Sequence, residues 1–164
     1  MNTVLRYPGS KWRIADQLVS NIPEHKSYLE PYFGSGAVLF NKPPSPIETI
    51  NDLDDDVINL FQCIRDHSQQ LAAMIAAIPY SRKVYDSQFS IVSKDPVDKA
   101  CAFLIKCWQG YGFKTSGIKT GWKRDKTGRE RAYNLSNWYH LPEWIEEIAE
   151  RLRNIQIEHK PALD

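Results

Sequence analysis

The stretch YLEPYFGSGAVLF, residues 28–40, decides how this chain folds. An apolar run breaks at Phe33-Gly34-Ser35-Gly36 and resumes directly after it. Glycine tolerates backbone conformations and close approaches that a Cβ forbids, so a glycine pair between apolar segments marks a tight turn where main chain nears a ligand. In nucleotide-binding α/β folds an acid at the tip of the next strand accepts hydrogen bonds from ribose hydroxyls. Asp52, within NDLDDD, lies 18 residues beyond Gly34 and suits that role. Asp54, Asp55 and Asp56 read instead as the N-cap and first-turn acids of a helix, favoured by its dipole.

Working outward, KWRIADQLVSN (11–21) spaces Trp12, Ala15, Leu18 and Val19 for a helix that Pro23 stops. SYLEPYF (27–33) reads as a short buried strand and AVLFN (37–41) as the first turns of a helix, followed by a rigid PPSP loop. IETIND (47–52) is a second strand, and DDDVINLFQCIRDH (54–67) puts Val57, Leu60, Phe61 and Ile64 on one helical face. This alternation opens a parallel α/β sheet. SQQLAAMIAAI (68–78) is helical, and DPVDKACAFLIKCWQG (95–110) is a helix with Pro96 at its start and Gly110 at its end. LPEWIEEIAERLRN (141–154) carries the stripe Leu141, Trp144, Ile145, Ile148 and Leu152, and IQIEH (155–159) reads as a last strand.

The 164 residues are 42% hydrophobic and 25% charged, ordinary values for a globular domain that buries a real core. No apolar run suits a signal peptide or a membrane span, and Cys63, Cys101 and Cys107 lack metal-ligand spacing, which points to reduced thiols in the cytoplasm. The net charge of +1 conceals an asymmetry: residues 114–131 hold seven basic side chains against two acids. That block lies in a long polar loop, 111–139, with Tyr111, Phe113, Trp122 and Tyr133 interleaved. A basic block with aromatics suits a polyanion partner, by phosphate neutralisation and base stacking.

The turn has no third glycine, so the dinucleotide fingerprint is incomplete, and a nucleoside without a pyrophosphate fits better. S-adenosylmethionine (SAM) has that chemistry: a ribose, an adenine and an amino-acid end. LRYPGSK (5–11), YLEPYFGSGAVLFN (28–41) and INDLDDDVINLFQCIR (50–65), in that order, resemble the opening of the Dam-type DNA adenine methyltransferases. CAFLIKCWQGYGFKTSG (101–117) is similar to the start of that family's DNA-recognition region. The resemblance implies a Rossmann-like α/β methyltransferase sheet, incomplete here, with an inserted, mainly helical recognition region. It divides the chain into a SAM-binding part (1–67), a recognition region (68–140) and a return helix and strand (141–164).

The resemblance also implies roles. Tyr7 and Lys11 would lie beside the cofactor, with Lys11 near DNA as well. Glu30, Pro31, Phe33, Gly34 and Gly36 would line the methionine end, Asp52 would hold the ribose, and Leu53 would pack on the adenine. Phe113 would wedge into duplex DNA, and Lys114, Lys123, Arg124, Arg129 and Arg131 would meet phosphate or guanine. The family's catalytic Asp-Pro-Pro-Tyr motif does not occur in residues 1–164, and the resemblance places it about one strand and one loop beyond IQIEHKPALD. The expectation is therefore a fragment or truncated enzyme that transfers no methyl group by itself. A catalytically silent DNA- or SAM-binding relative is the alternative. A sheet cut before its catalytic strand would expose an edge that invites self-association or a second chain.

Overall fold

The computed structural model describes residues 1–90, 92–112, 117–124 and 136–163. Three parallel strands, β1 (Ser27–Glu30), β2 (Ile47–Asn51) and β3 (Gln156–Glu158), lie side by side in that order. Ile50 stands opposite both Glu30 and Ile157, which fixes the register. The helices are α1 (Ala15–Ser20), entered through a 3-10 turn at Trp12–Ile14, α2 (Asp55–Ala77), α3 (Arg82–Ser87), α4 (Pro96–Gln109) and α5 (Ser136–Leu152).

Capping follows the acids. Asp54 accepts from the N–H groups of Asp56 and Val57 at the start of α2, and Asp95 accepts from Val97 and Asp98 at the start of α4. The helices read from 54–67 and 68–78 follow one another as α2, and they meet at a kink at His67, whose angles are non-helical. The helix expected over 37–41 is absent. Gly34 (φ +52) and Gly36 (φ +68) hold the chain out of helical geometry up to Ala37, and Pro43 cannot continue a helix. What fits between them is turns closed by Phe40 N–H to Gly36 and Lys42 N–H to Val38, both 3.0 Å.

β1 also ends earlier than SYLEPYF suggested, because Pro31 has no N–H for the ladder, although Phe33 N–H still reaches the Asn51 carbonyl at 2.9 Å. In contrast α5 begins earlier than LPEW, with Pro142 inside it. Trp138 extends the stripe Leu141, Ile145, Ile148 and Leu152 by one turn, and all five are buried, which offsets the lost helical bond.

α4 and α5 both pack on α2, where Leu60, Ile64, Leu71, Leu104, Leu141 and Ile145 are fully buried. One buried charge cluster ties this body to the sheet. Glu48 of β2 accepts from Lys42 Nζ (2.6 Å) and from both terminal nitrogens of Arg151 on α5. Burial alone would raise the Glu48 pKa, but Arg151, Lys42 and the Ser45 N–H together hold it below the ordinary value. The opposite sheet face carries Leu29 and Ile47, 58% and 53% exposed. Parallel sheets are usually covered on both faces, so this one is open where a covering layer would sit.

Candidate functional site

The carboxyl ends of β1 and β2 open onto a cavity of about 380 Å³, where ligands bind in open α/β sheets. Its walls come from three separate segments: 7–11, 30–38 and Asp52. Gly34, at φ +52, turns its N–H onto Asp52 Oδ2 (2.7 Å), while Asp52 Oδ1 takes the Asp54 N–H (3.0 Å). The acid and the glycine turn are thus one unit. Each Asp52 oxygen carries one of these bonds and keeps a second acceptor site for a ligand hydroxyl.

Tyr7 lies against Gly34, so that a Cβ there would come 3.5 Å from its ring, and its hydroxyl donates to Asp54 Oδ2 (2.7 Å). Burial first, then the Asp54 acceptor, raises the Tyr7 pKa, so the hydroxyl stays protonated. Ser10 and Ser35 join through their hydroxyls at 2.8 Å, pinning the N-terminal loop to the glycine turn. Lys11 lines the cavity with its ammonium on the Gly9 carbonyl (2.6 Å).

Glu30 is the electrostatic feature of the cavity. One oxygen, Oε2, accepts from Leu39 N–H (3.0 Å) and Tyr28 OH (3.1 Å), and Oε1 has no hydrogen-bond partner among the described residues. Burial pushes its carboxyl up to about 7, against the lowering influence of those two donors and Lys42. A cation placed beside it would restore the carboxylate.

Sequence reasoning brought Tyr7, Lys11, Glu30, Phe33, Gly34 and Asp52 to one cavity, and the structure places all six on its walls. Three others stand elsewhere. Pro31 is outside the lining, with its carbonyl on the Asn51 amide (3.0 Å). Gly36 is a packing position: a Cβ would fall 2.3 Å from Phe40 and 2.5 Å from Phe33, whose rings meet Phe61 in the core. Leu53 is 68% exposed and lies outside the cavity.

Of the expected DNA contacts, Phe113, Lys114, Arg129 and Arg131 lie outside the described residues. Arg124 is exposed, as a phosphate contact requires. Lys123 is not. It is 3% exposed, because Tyr111 N–H to Gly121 (2.7 Å) and Lys123 N–H to Gln109 (2.8 Å) bind this segment to the end of α4. A lysine on an exposed loop was the expectation, and backbone pairing turns it inward instead.

Nothing in the sequence singled out Asn51, which is buried and joins the Pro31 carbonyl to the main chain of Lys160. The same holds for the Ser10–Ser35 pair. Neither residue type announces a partner, since short polar side chains bond wherever the fold brings them. The three cysteines are free and buried, and burial raises each thiol above its ordinary pKa. Among the described residues no helix is long and apolar enough to cross a membrane.

With this geometry in place, comparison with known proteins gives the family. The family model for D12 class N6 adenine-specific DNA methyltransferases matches residues 7–162. The DNA N-6-adenine-methyltransferase of Escherichia phage P1 is 26% identical over 126 residues. That alignment covers 66% of this chain and 15% of the phage protein. The match begins at Tyr7, on the cavity wall, and runs through all three strands, so the chain belongs to the D12 class N6 adenine-specific DNA methyltransferase family.

Proposed function

We propose that this chain is the cofactor-binding portion of a DNA adenine methyltransferase and that SAM occupies the cavity at the glycine turn. The observation that carries the reading is the convergence of the 7–11 loop, Glu30, Gly34 and Asp52 on one cavity. The residues fit the cofactor. Asp52 keeps acceptor capacity for ribose hydroxyls, and the open oxygen of Glu30 suits the ammonium of the methionine end. Phe33 and Tyr7 give apolar wall beside it. When bound, SAM supplies a methyl group on a positively charged sulfur, a strong electrophile that needs no metal.

The residues of this chain bind and orient. The sheet is the Rossmann-like core of a methyltransferase, residues 1–67 form its SAM-binding part, and 141–164 return to it. Residues 68–140 belong to DNA recognition, with Lys11 and Arg124 at the strand and Phe113, Lys114, Arg129 and Arg131 as further contacts. Gly36 supports the site by admitting Phe33 and Phe40 into the core.

The adenine amino nitrogen is a poor nucleophile until an acceptor holds its protons. No Asp-Pro-Pro-Tyr occurs in residues 1–164, and in this reading the remaining acceptor capacity of Asp52 goes to the ribose of the cofactor, not to the base. That observation favours, as a second reading, a chain that binds cofactor and DNA while another segment or chain supplies the acceptor. The exposed Leu29 and Ile47 face gives such a segment a place to pack.

Calorimetric titration of the chain with SAM and with NAD tests the reading. SAM should bind and NAD should not, and Asp52→Ala should weaken SAM at least tenfold. Preference for NAD, or an unchanged SAM affinity in folded Asp52→Ala, would overturn it.

A further inference from the structure

At the opposite end of the sheet from the glycine turn lies a cavity of about 770 Å³ that His25, Lys42 and Ser45 line. The strands bring these side chains together. β1 and β2 run parallel with Ser27 opposite Ile47, so His25 and Ser45, just ahead of those residues, meet where the chain enters the sheet. Ser45 Oγ lies 2.8 Å from His25 Nε2. The other ring nitrogen, Nδ1, lies 2.7 Å from the Pro23 carbonyl oxygen. A carbonyl only accepts, so Nδ1 carries the proton of the neutral ring and Nε2 is left to accept from the serine. The Ser45 oxygen in turn accepts from the Lys42 ammonium at 2.7 Å, and Glu48 holds that ammonium at 2.6 Å.

The group is a nucleophile, a base whose tautomer a third group sets, and a cation that favours the alkoxide. Ser45 is half-buried, and the cavity beside it gives a reacting carbonyl access to its oxygen. This cavity shares no residue with the one at the glycine turn.

We propose that Ser45 and His25 form a site that hydrolyses esters of short apolar carboxylic acids. Ser45 Oγ attacks the carbonyl carbon while His25 Nε2 takes its proton. The tetrahedral intermediate collapses by breaking the bond to the alcohol oxygen, and His25 returns the proton to the departing alcohol. Water then attacks the acyl carbon as the same nitrogen takes a proton from it. The carboxylic acid leaves and Ser45 regains its hydrogen. The sum is ester and water to acid and alcohol, with no other reactant. The acyl class follows from the wall, where Val19, Ile22, Pro43 and Pro44 offer an apolar seat. The oxyanion finds a counter-charge in Lys26, an exposed cation on the same wall with no partner among the described residues.

The test is hydrolysis of p-nitrophenyl butyrate by the 164-residue chain, together with diisopropyl fluorophosphate labelling mapped by peptide mass spectrometry. The proposal expects turnover above the buffer rate, label on Ser45 in preference to every other serine, and loss of turnover in step with that label. Ser45→Ala should abolish both. His25→Gln, which keeps a polar side chain but no base, should slow both by at least about a hundredfold. Thermal melting confirms that each variant is folded. Labelling of the unaltered chain in urea is a control that needs no variant, and the preference for Ser45 should vanish there. Ser45 unlabelled in the folded chain, Ser45 labelled as fast in urea as without it, or hydrolysis that Ser45→Ala leaves intact would overturn the proposal. So would a folded His25→Gln that reacts at the unaltered rate.

Discussion

Glu30→Gln should make the protein more stable at alkaline pH and a worse cofactor binder. Glutamine can keep its oxygen where Oε2 accepts from Leu39 and Tyr28, with the amide nitrogen at the unpartnered Oε1 position. The substitution thus removes a charge and spares the bonds. The native pKa of about 7 lies above the unfolded value of 4.5, so between them the folded state holds a proton that the unfolded chain has lost. Stability from this group is complete below pH 4.5, falls as pH rises, and is gone above about 7. A gap of roughly 2.5 pH units, at about 1.4 kcal/mol for each, sets a ceiling of about 3 kcal/mol, and partial hydration of the cavity reduces it to about 2 kcal/mol. Urea unfolding from pH 5 to 8.5 reads this directly. Glu30→Gln should gain about 2 kcal/mol over the unaltered chain at pH 8.5 and little at pH 5. A bound ammonium favours the carboxylate, so SAM affinity of the unaltered chain should rise with pH up to about 7, and the variant should lose both affinity and slope. Equal stability of the two proteins at pH 8.5 would refute the reasoning.

Gly36→Ala should destabilise by about 3 kcal/mol or more, because a positive φ and approaches of 2.3 and 2.5 Å to two phenylalanines act together. Gly34→Ala meets only Tyr7 at 3.5 Å and should cost about 1 kcal/mol, so thermal melting that ranks the two the other way contradicts the packing role of Gly36. Glu48→Gln leaves Lys42 and Arg151 buried without their carboxylate and should cost about 3–5 kcal/mol by denaturant unfolding; a loss below 1 kcal/mol would show the cluster to be hydrated. Replacing Arg124, Arg129 and Arg131 with alanine should lower the slope of log K against log salt for duplex DNA by about one for each phosphate that is no longer neutralised, and an unchanged slope would return the block to solvent.

The glycine turn, the acid beyond it, the three strands and the long helices from Asp55 onward were legible because each rests on local chemistry. Glycine at Gly34 is required by a positive φ, Asp54 by a helix end, and the strands by apolar runs between turn residues. The role of Gly36 was not legible, since a glycine that admits Phe40 looks the same in sequence as one that admits a ligand. Lys123 was misread for a similar reason. Charged residues follow it in sequence from Arg124 to Lys126, and the antiparallel bridge between Gly110 and Trp122 turns it inward. The expected helix over 37–41 failed because apolar content was weighed without the two φ-positive glycines before it and the proline after it. Arg151 meets Glu48 across 103 positions of chain, a separation at which no local pattern signals a partner.

Photo-crosslinking with methyl-labelled SAM, followed by mapping of the labelled peptides, tests the central claim most directly. The account predicts label on peptides that contain Tyr7 to Lys11 or Glu30 to Gly36, competed by unlabelled SAM and lost in Asp52→Ala. Label confined to the helices α3 or α4, or label that Asp52→Ala leaves in place, would contradict it.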